Sequence, residues 1–135
     1  MTAPFGRTHT MVVQPVATAG NDLNTVAFIA PQAGTITAVT YSTVTAITGA
    51  NTNTRSVTLV NKGQTGAGST TVATLQFDSG VNTVAADEKT ITLSGTPANL
   101  VVAAGDVLQW QSLHIGTGIA DPGGLVAVTI AANYA

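Results

Sequence analysis

Charge is what this 135-residue chain has least of. Charged residues make up 7% of it, against about 25% in an average soluble domain. Lys plus Arg number 4, Asp plus Glu number 6, and the formal net charge is −2. Arg7, Arg55, Lys62 and Lys89 are too few and too scattered to form the basic stripe that nucleic-acid binding needs. Cysteine is absent, which excludes disulfides and thiolate metal sites and leaves redox compartment unread. Aromatics are 4%, too few for a wide stacking platform. No run approaches the roughly 18 apolar residues of a membrane span. The segment MTAPFGRTHTMVV has Arg7 but no apolar stretch behind it, so it does not read as a secretory signal.

What is present is apolar and β-branched. Hydrophobic residues are 44% of the chain, which argues against intrinsic disorder. Roughly a third of them are Ala, which buries little area per residue. The core is therefore expected to be thin, like that of a small two-sheet sandwich about 10 Å thick. Thr stands at roughly one position in six, and both Thr and Val favour strands. Gly or Pro clusters recur every roughly 8–15 residues, the spacing of an all-β sandwich or barrel. No composition break divides the chain, so one domain is expected.

The pattern predicts about eight strands, the number in a jelly roll. They are Met11–Thr18, Thr25–Ala30, Thr35–Thr45, Arg55–Asn61, Thr70–Asp78, Lys89–Ser94, Val107–Ile115 and Leu125–Ala131. Pro15 marks the first as an edge strand. Ile36, Val39, Tyr41 and Val44 are packing candidates on the third. Val57 and Leu59 on the fourth, Ala73, Leu75 and Phe77 on the fifth, and Ile91 and Leu93 on the sixth are expected inward. So are Leu108 and Trp110 on the seventh, and Val126, Val128 and Ile130 on the eighth. The best helical candidate is the short Val84–Glu88 segment. Residues 1–10 read as an N-terminal arm and 11–135 as the sandwich, with Tyr134 in the tail as a possible anchor. The fold class is thus all-β: a single-domain, antiparallel, jelly-roll-like sandwich.

Catalytic and ligand-binding patterns are weak. GQTGAGST (Gly63–Thr70) has glycines spaced as in a phosphate loop, but no Lys precedes the Ser, and it joins two strands. GTGIAD (Gly116–Asp121) lacks the helix of a dinucleotide motif. Ser94, Asp106 and His114 are the residue types of a nucleophilic triad, yet Ser94 has no GxSxG elbow. The plainer reading ends a strand at Ser94, caps a turn with Asp106 and sets His114 near a strand end. His9 and His114 are far apart in sequence. Asp78, Asp87 and Glu88 could offer loop carboxylates to Ca²⁺, but solvation of an exposed loop is the favoured reading. Trp110 alternates with Gln109 and Gln111 and is expected in the core. Arg55 is expected to pair with Asp78 or Asp121, or else to be a solvated rim charge. No catalytic, cofactor or metal residues are assigned.

Three segments carry a resemblance: FIAPQAGTITAVTY (Phe28–Tyr41), TGANTNTRSVTLVNKGQTGAGSTTVATLQFDSG (Thr48–Gly80), and NLVVAAGDVLQWQS through ADPGGLVAVTI (Asn99–Ile130). Together they resemble the small β-sandwich capsid decoration, or cement, proteins of tailed bacteriophages. The resemblance implies a non-enzymatic virion protein on the capsid exterior, made in the host cytoplasm. It implies a homo-oligomer, often a trimer, that bridges major capsid subunits and needs no cofactor, nucleic acid or membrane. The expected contacts are the arm Thr2–Thr10 and the loops Thr48–Thr54, Lys62–Ser69 and Gly116–Gly124. The alternative is a receptor- or carbohydrate-binding sandwich of a phage tail or fibre.

Overall fold

The computed structural model describes residues 6–132. They form ten strands: β1 (Gly6–Val13), β2 (Leu23–Ile29), β3 (Gly34–Thr43), β4 (Thr54–Asn61), β5 (Thr70–Gln76), β6 (Glu88–Thr90), β7 (Thr92–Leu93), β8 (Val101–Val102), β9 (Val107–Ile115) and β10 (Gly124–Ala132). A 3-10 turn, Pro97–Leu100, precedes β8. One sheet runs β1-β10-β3-β6, with β8 also on β3; the other runs β2-β9-β4-β5-β7. Every named strand pair is antiparallel. Apart from the β4–β5 hairpin, successive strands alternate between the two sheets in the manner of a jelly roll.

Six of the eight expected strands appear with bounds within two residues of those expected. The first differs most. It runs Gly6–Val13, not Met11–Thr18, and pairs with β10 along its whole length. Gly6–Thr10, expected in the arm, is therefore strand. Met1–Phe5 and Tyr134 lie outside the described residues. The strand stops before Pro15, which has no N–H for a ladder. As expected, it is an edge strand.

The expected sixth strand is split between the sheets. β6 pairs with β3, β7 pairs with β5, and Ile91 lies between them, fully buried. Val84–Glu88 is not helical; it turns at Ala86, the only non-glycine described with positive φ (59°).

Alternation builds the core. Val57, Leu59, Leu108 and Trp110 point in from the second sheet, facing Ile36, Val39, Tyr41, Val126, Val128 and Ile130 from the first. Fully burying each larger side chain is worth about 1.5–3 kcal/mol. Bulges interrupt the period. Thr37 has no partner on β10, so the inward set on β3 steps from Ile36 to Val39, Tyr41 and Thr43. That phase turns Val44 outward, 66% exposed, instead of into the core. A second bulge at Val72 buries both Val72 and Ala73 on β5.

Candidate interaction surface

Two features stand apart from ordinary core packing: a buried polar network at one end of the sandwich, and an uncharged outer face on the first sheet.

Arg55 anchors the network. It opens the inward series Arg55, Val57, Leu59 on β4 and is fully buried, so it is not a rim charge. Its Nε donates to the Ile119 carbonyl, and Nη2 donates to the carbonyls of Ala19 and Asn21, both at 2.9 Å. Nη1 donates to Ser112 Oγ (3.1 Å), which donates in turn to Asp121 Oδ2 (2.7 Å). Of the two acids expected as partners, Asp121 is the one reached, through a hydroxyl.

Asp121 also accepts from the Tyr41 hydroxyl (2.6 Å) and the Gly123 N–H (3.0 Å). Burial, followed by the Asp121 charge and hydrogen bond, pushes the Tyr41 pKa up. Burial draws that of Arg55 down, opposed by Asp121 and Asp22; an arginine nonetheless stays charged. Buried charges persist when every donor and acceptor is met. Here that requirement ties the loop before β2 and the loop before β10 to the sandwich. Gly118 makes the junction possible: its φ is +81°, and a Cβ there would lie 1.9 Å from the Ala19 carbonyl oxygen.

The other candidates have separate partners. Ser94 Oγ accepts from the Thr96 N–H and Asn99 Nδ2. Asp106 accepts from the Ala103 N–H, Asn61 and Gln64. His114 Nδ1 meets Asp22 Oδ1 at 2.6 Å, and the His114 N–H donates to the same oxygen. Ser94, Asp106 and His114 thus form no hydrogen-bonded triad. Asp78 binds Gln76, and Asp87 caps the Glu88 N–H. Among the described residues no three acidic or imidazole groups converge as a metal site would require. Trp110 is fully buried, edge-on to Tyr41 at 5.3 Å.

The outer face of the first sheet is built from small uncharged side chains. Thr8 stands opposite Thr129, Thr10 opposite Ala127, Ala127 opposite Thr40, and Leu125 opposite Ser42. A shallow hollow of about 280 Å³ lies over Thr8, Ala38, Thr40, Ala127 and Thr129, with Glu88 as its single charged lining residue. Beside it is an apolar cleft of about 580 Å³ lined by Val12, Val13, Pro15, Val44, Pro122 and Leu125, among others. Val12 (77%), Val44 (66%) and Leu125 (40%) stand exposed. Gly124 sits under the cleft because a Cβ there would come within 2.0 Å of the Ser42 carbonyl oxygen. Of the expected contacts, the arm Thr2–Thr10 supplies Thr8 and Thr10 to this face, while the β3 and β10 residues of the face lie outside the expected loops. The outward phase of β3 and β10 carries Ala, Thr, Ser and Leu125 where a solvated face usually carries charge, but the pairing that joins them to β1 is not written in either strand alone.

The three expected contact loops are divided between the two ends of the sandwich. Thr48–Thr54 and Gly116–Gly124 meet at the cleft end, where Asn53 Oδ1 accepts the Thr117 N–H (2.9 Å). Lys62–Ser69 lies at the opposite end, where Gln64 reaches the Ala104 carbonyl.

No family model and no curated protein matches the chain. Two solved structures of infectious bursal disease virus are similar to it, each at 13% identity and a TM-score of 0.46. The Gx strain structure covers 98% of this chain and 34% of its own, and the Gt strain structure 96% and 33%. The chain therefore spans about a third of the length of those viral chains.

Proposed function

We propose that this chain is a non-enzymatic structural protein of a virion. On this reading it decorates the outside of a bacteriophage capsid and stabilises it by bridging major capsid subunits. The observation that carries the proposal is the outer face of the first sheet. It is a nearly uncharged surface of Thr, Ala and Ser running into an apolar cleft with Val12, Val44 and Leu125 exposed. Small side chains let a partner's backbone approach closely, and few charges need to be stripped of water on docking.

Such a face works by mass action: a protein that binds the assembled lattice and not its separated subunits stabilises the lattice. Each contact can be modest, because repetition across a shell multiplies it. Sugar recognition by a tail module calls for exposed aromatics, and the single Trp is in the core.

The test is to quantify this chain in purified particles by mass spectrometry, in native form and as Ala127→Arg. The expected result is a copy number comparable to the main shell protein, reduced several-fold by the arginine while circular dichroism is unchanged. Absence from particles, or glycan binding by the isolated protein with no affinity for shells, would overturn the proposal.

A further inference from the structure

The edges of the two sheets are unequal. On one flank, β6 and β8 have 3 and 2 residues and are separated by the 3-10 turn, while β7 has 2 residues. On the other flank, β2 carries a bulge at Ala27. β1 alone is long and regular, with eight residues paired to β10 in unbroken register. Short or bulged edges discourage the addition of another strand. β1 has neither device, and Arg7 is its one charged residue.

The ladder shows which backbone groups of β1 are free. Val44 N–H donates to the Gly123 carbonyl and Ile91 N–H to the Val39 carbonyl, both at 2.9 Å. From Ala38 onward, beyond the bulge, even-numbered residues of β3 therefore face β10 and odd-numbered ones face away. Carried through the register, even-numbered residues of β10 bond to odd-numbered residues of β1. Thr8, Thr10 and Val12 thus turn their N–H and C=O groups to the open side, and all three are exposed. The neighbouring edge is apolar as well: Val26 and Ile29 on β2 are 59% and 61% exposed, and Phe28 stacks on His9 at 5.0 Å.

We propose that a second copy of this chain docks here, β1 against β1 and antiparallel, about a two-fold axis at Thr10. Thr10 then faces its own counterpart, Thr8 faces the partner's Val12, and His9 faces the partner's Met11. Arg7 falls opposite the partner's Val13, so no like charges meet. β-branched cross-strand pairs are favourable, and Val12, the most exposed large hydrophobic side chain described, gains cover. The two first sheets become one. The inference does not depend on the virion reading, since it concerns this chain alone.

The test is the mass of the purified full chain by light scattering and sedimentation across roughly 1–100 μM, the range in which such pairs dissociate. A dimer is expected. Thr10→Pro removes an N–H that faces the open side and leaves the bonds to β10 intact, a placement proline tolerates on an edge. It should be folded by circular dichroism and monomeric, while Thr10→Ala stays dimeric. Val12→Lys, which should fold in any event, should raise the dimer Kd by about tenfold or more. A wild-type monomer or trimer would overturn the two-fold pairing. So would folded Thr10→Pro and Val12→Lys proteins that dimerise as tightly as wild type; should Thr10→Pro not fold, Val12→Lys decides alone.

Discussion

Arg55 is the residue on which most of the loop architecture converges. It holds three carbonyls and, through Ser112, the Asp121 carboxylate that also receives Tyr41. Removing one partner from a buried charged network leaves the other uncompensated. Arg55→Ala should therefore cost about 3–5 kcal/mol in urea unfolding. Tyr41→Phe, which deletes one hydrogen bond to a charged acceptor, should cost about 1.5–3 kcal/mol; equal losses would contradict this ordering. Two acids add a pH dependence. The His114 backbone N–H, then the His114 side chain, holds Asp22 below the usual carboxylate range, and the Ala103 N–H with Asn61 does the same for Asp106. A carboxylate lowered in the folded state contributes stability above its unfolded pKa, about 3.9, and loses it as pH falls through the folded value. Wild type should thus weaken on acidification below about pH 4 more steeply than the double variant Asp22→Asn, Asp106→Asn, as read from melting temperatures across the acid range. Arg55, expected in an ion pair or at the rim, lies instead on the core face in phase with Val57 and Leu59. What alternation along the strand does not supply is the set of carbonyls, from loops far away in sequence, that makes such a position tolerable.

At the level of elements, the strands with strict alternation were legible. β9 appears with the expected bounds, Val107–Ile115, and Leu108 and Trp110 point inward as read. Misreadings fall where the alternation slips. The bulge at Thr37 shifts the phase of β3, and a pattern that placed Ile36, Val39 and Val44 on one side could not register the extra residue. The Lys89–Ser94 run reads as one strand because a strand that changes sheets keeps its own period; only its pairing partners reveal the switch at Ile91. That position is the hinge of the crossing and has no room to relax, since both sheets close over it. Ile91→Ala should cost about 2–5 kcal/mol, whereas Val44→Thr, on the exposed side of the same sheet system, should stay within about 0.5 kcal/mol. Denaturant midpoints at constant slope would check the pair, and a mild Ile91 variant would mean the crossing is not closed.

On the scale of the molecule, a jelly roll was readable from turn spacing and β-branched content. The position of its bare face was not, because the face is assembled from β1, β3 and β10, strands that lie far apart along the chain. Scarcity of charge was visible in the composition, and the outward residues of the second sheet (Ser56, Thr58, Thr74, Gln109 and Gln111) are uncharged as well; what the sheet order adds on the first sheet is the run of small side chains beside the apolar cleft. The same order gives the molecule a handedness of opportunity. One flank is closed by fragments of two and three residues, and the other presents a single full-length rim. A building block of that kind has a valence of one. Once two of them join along the rim, neither has a second full-length strand edge to offer, and strand pairing halts at a discrete pair where an evenly exposed sandwich would run on into fibres.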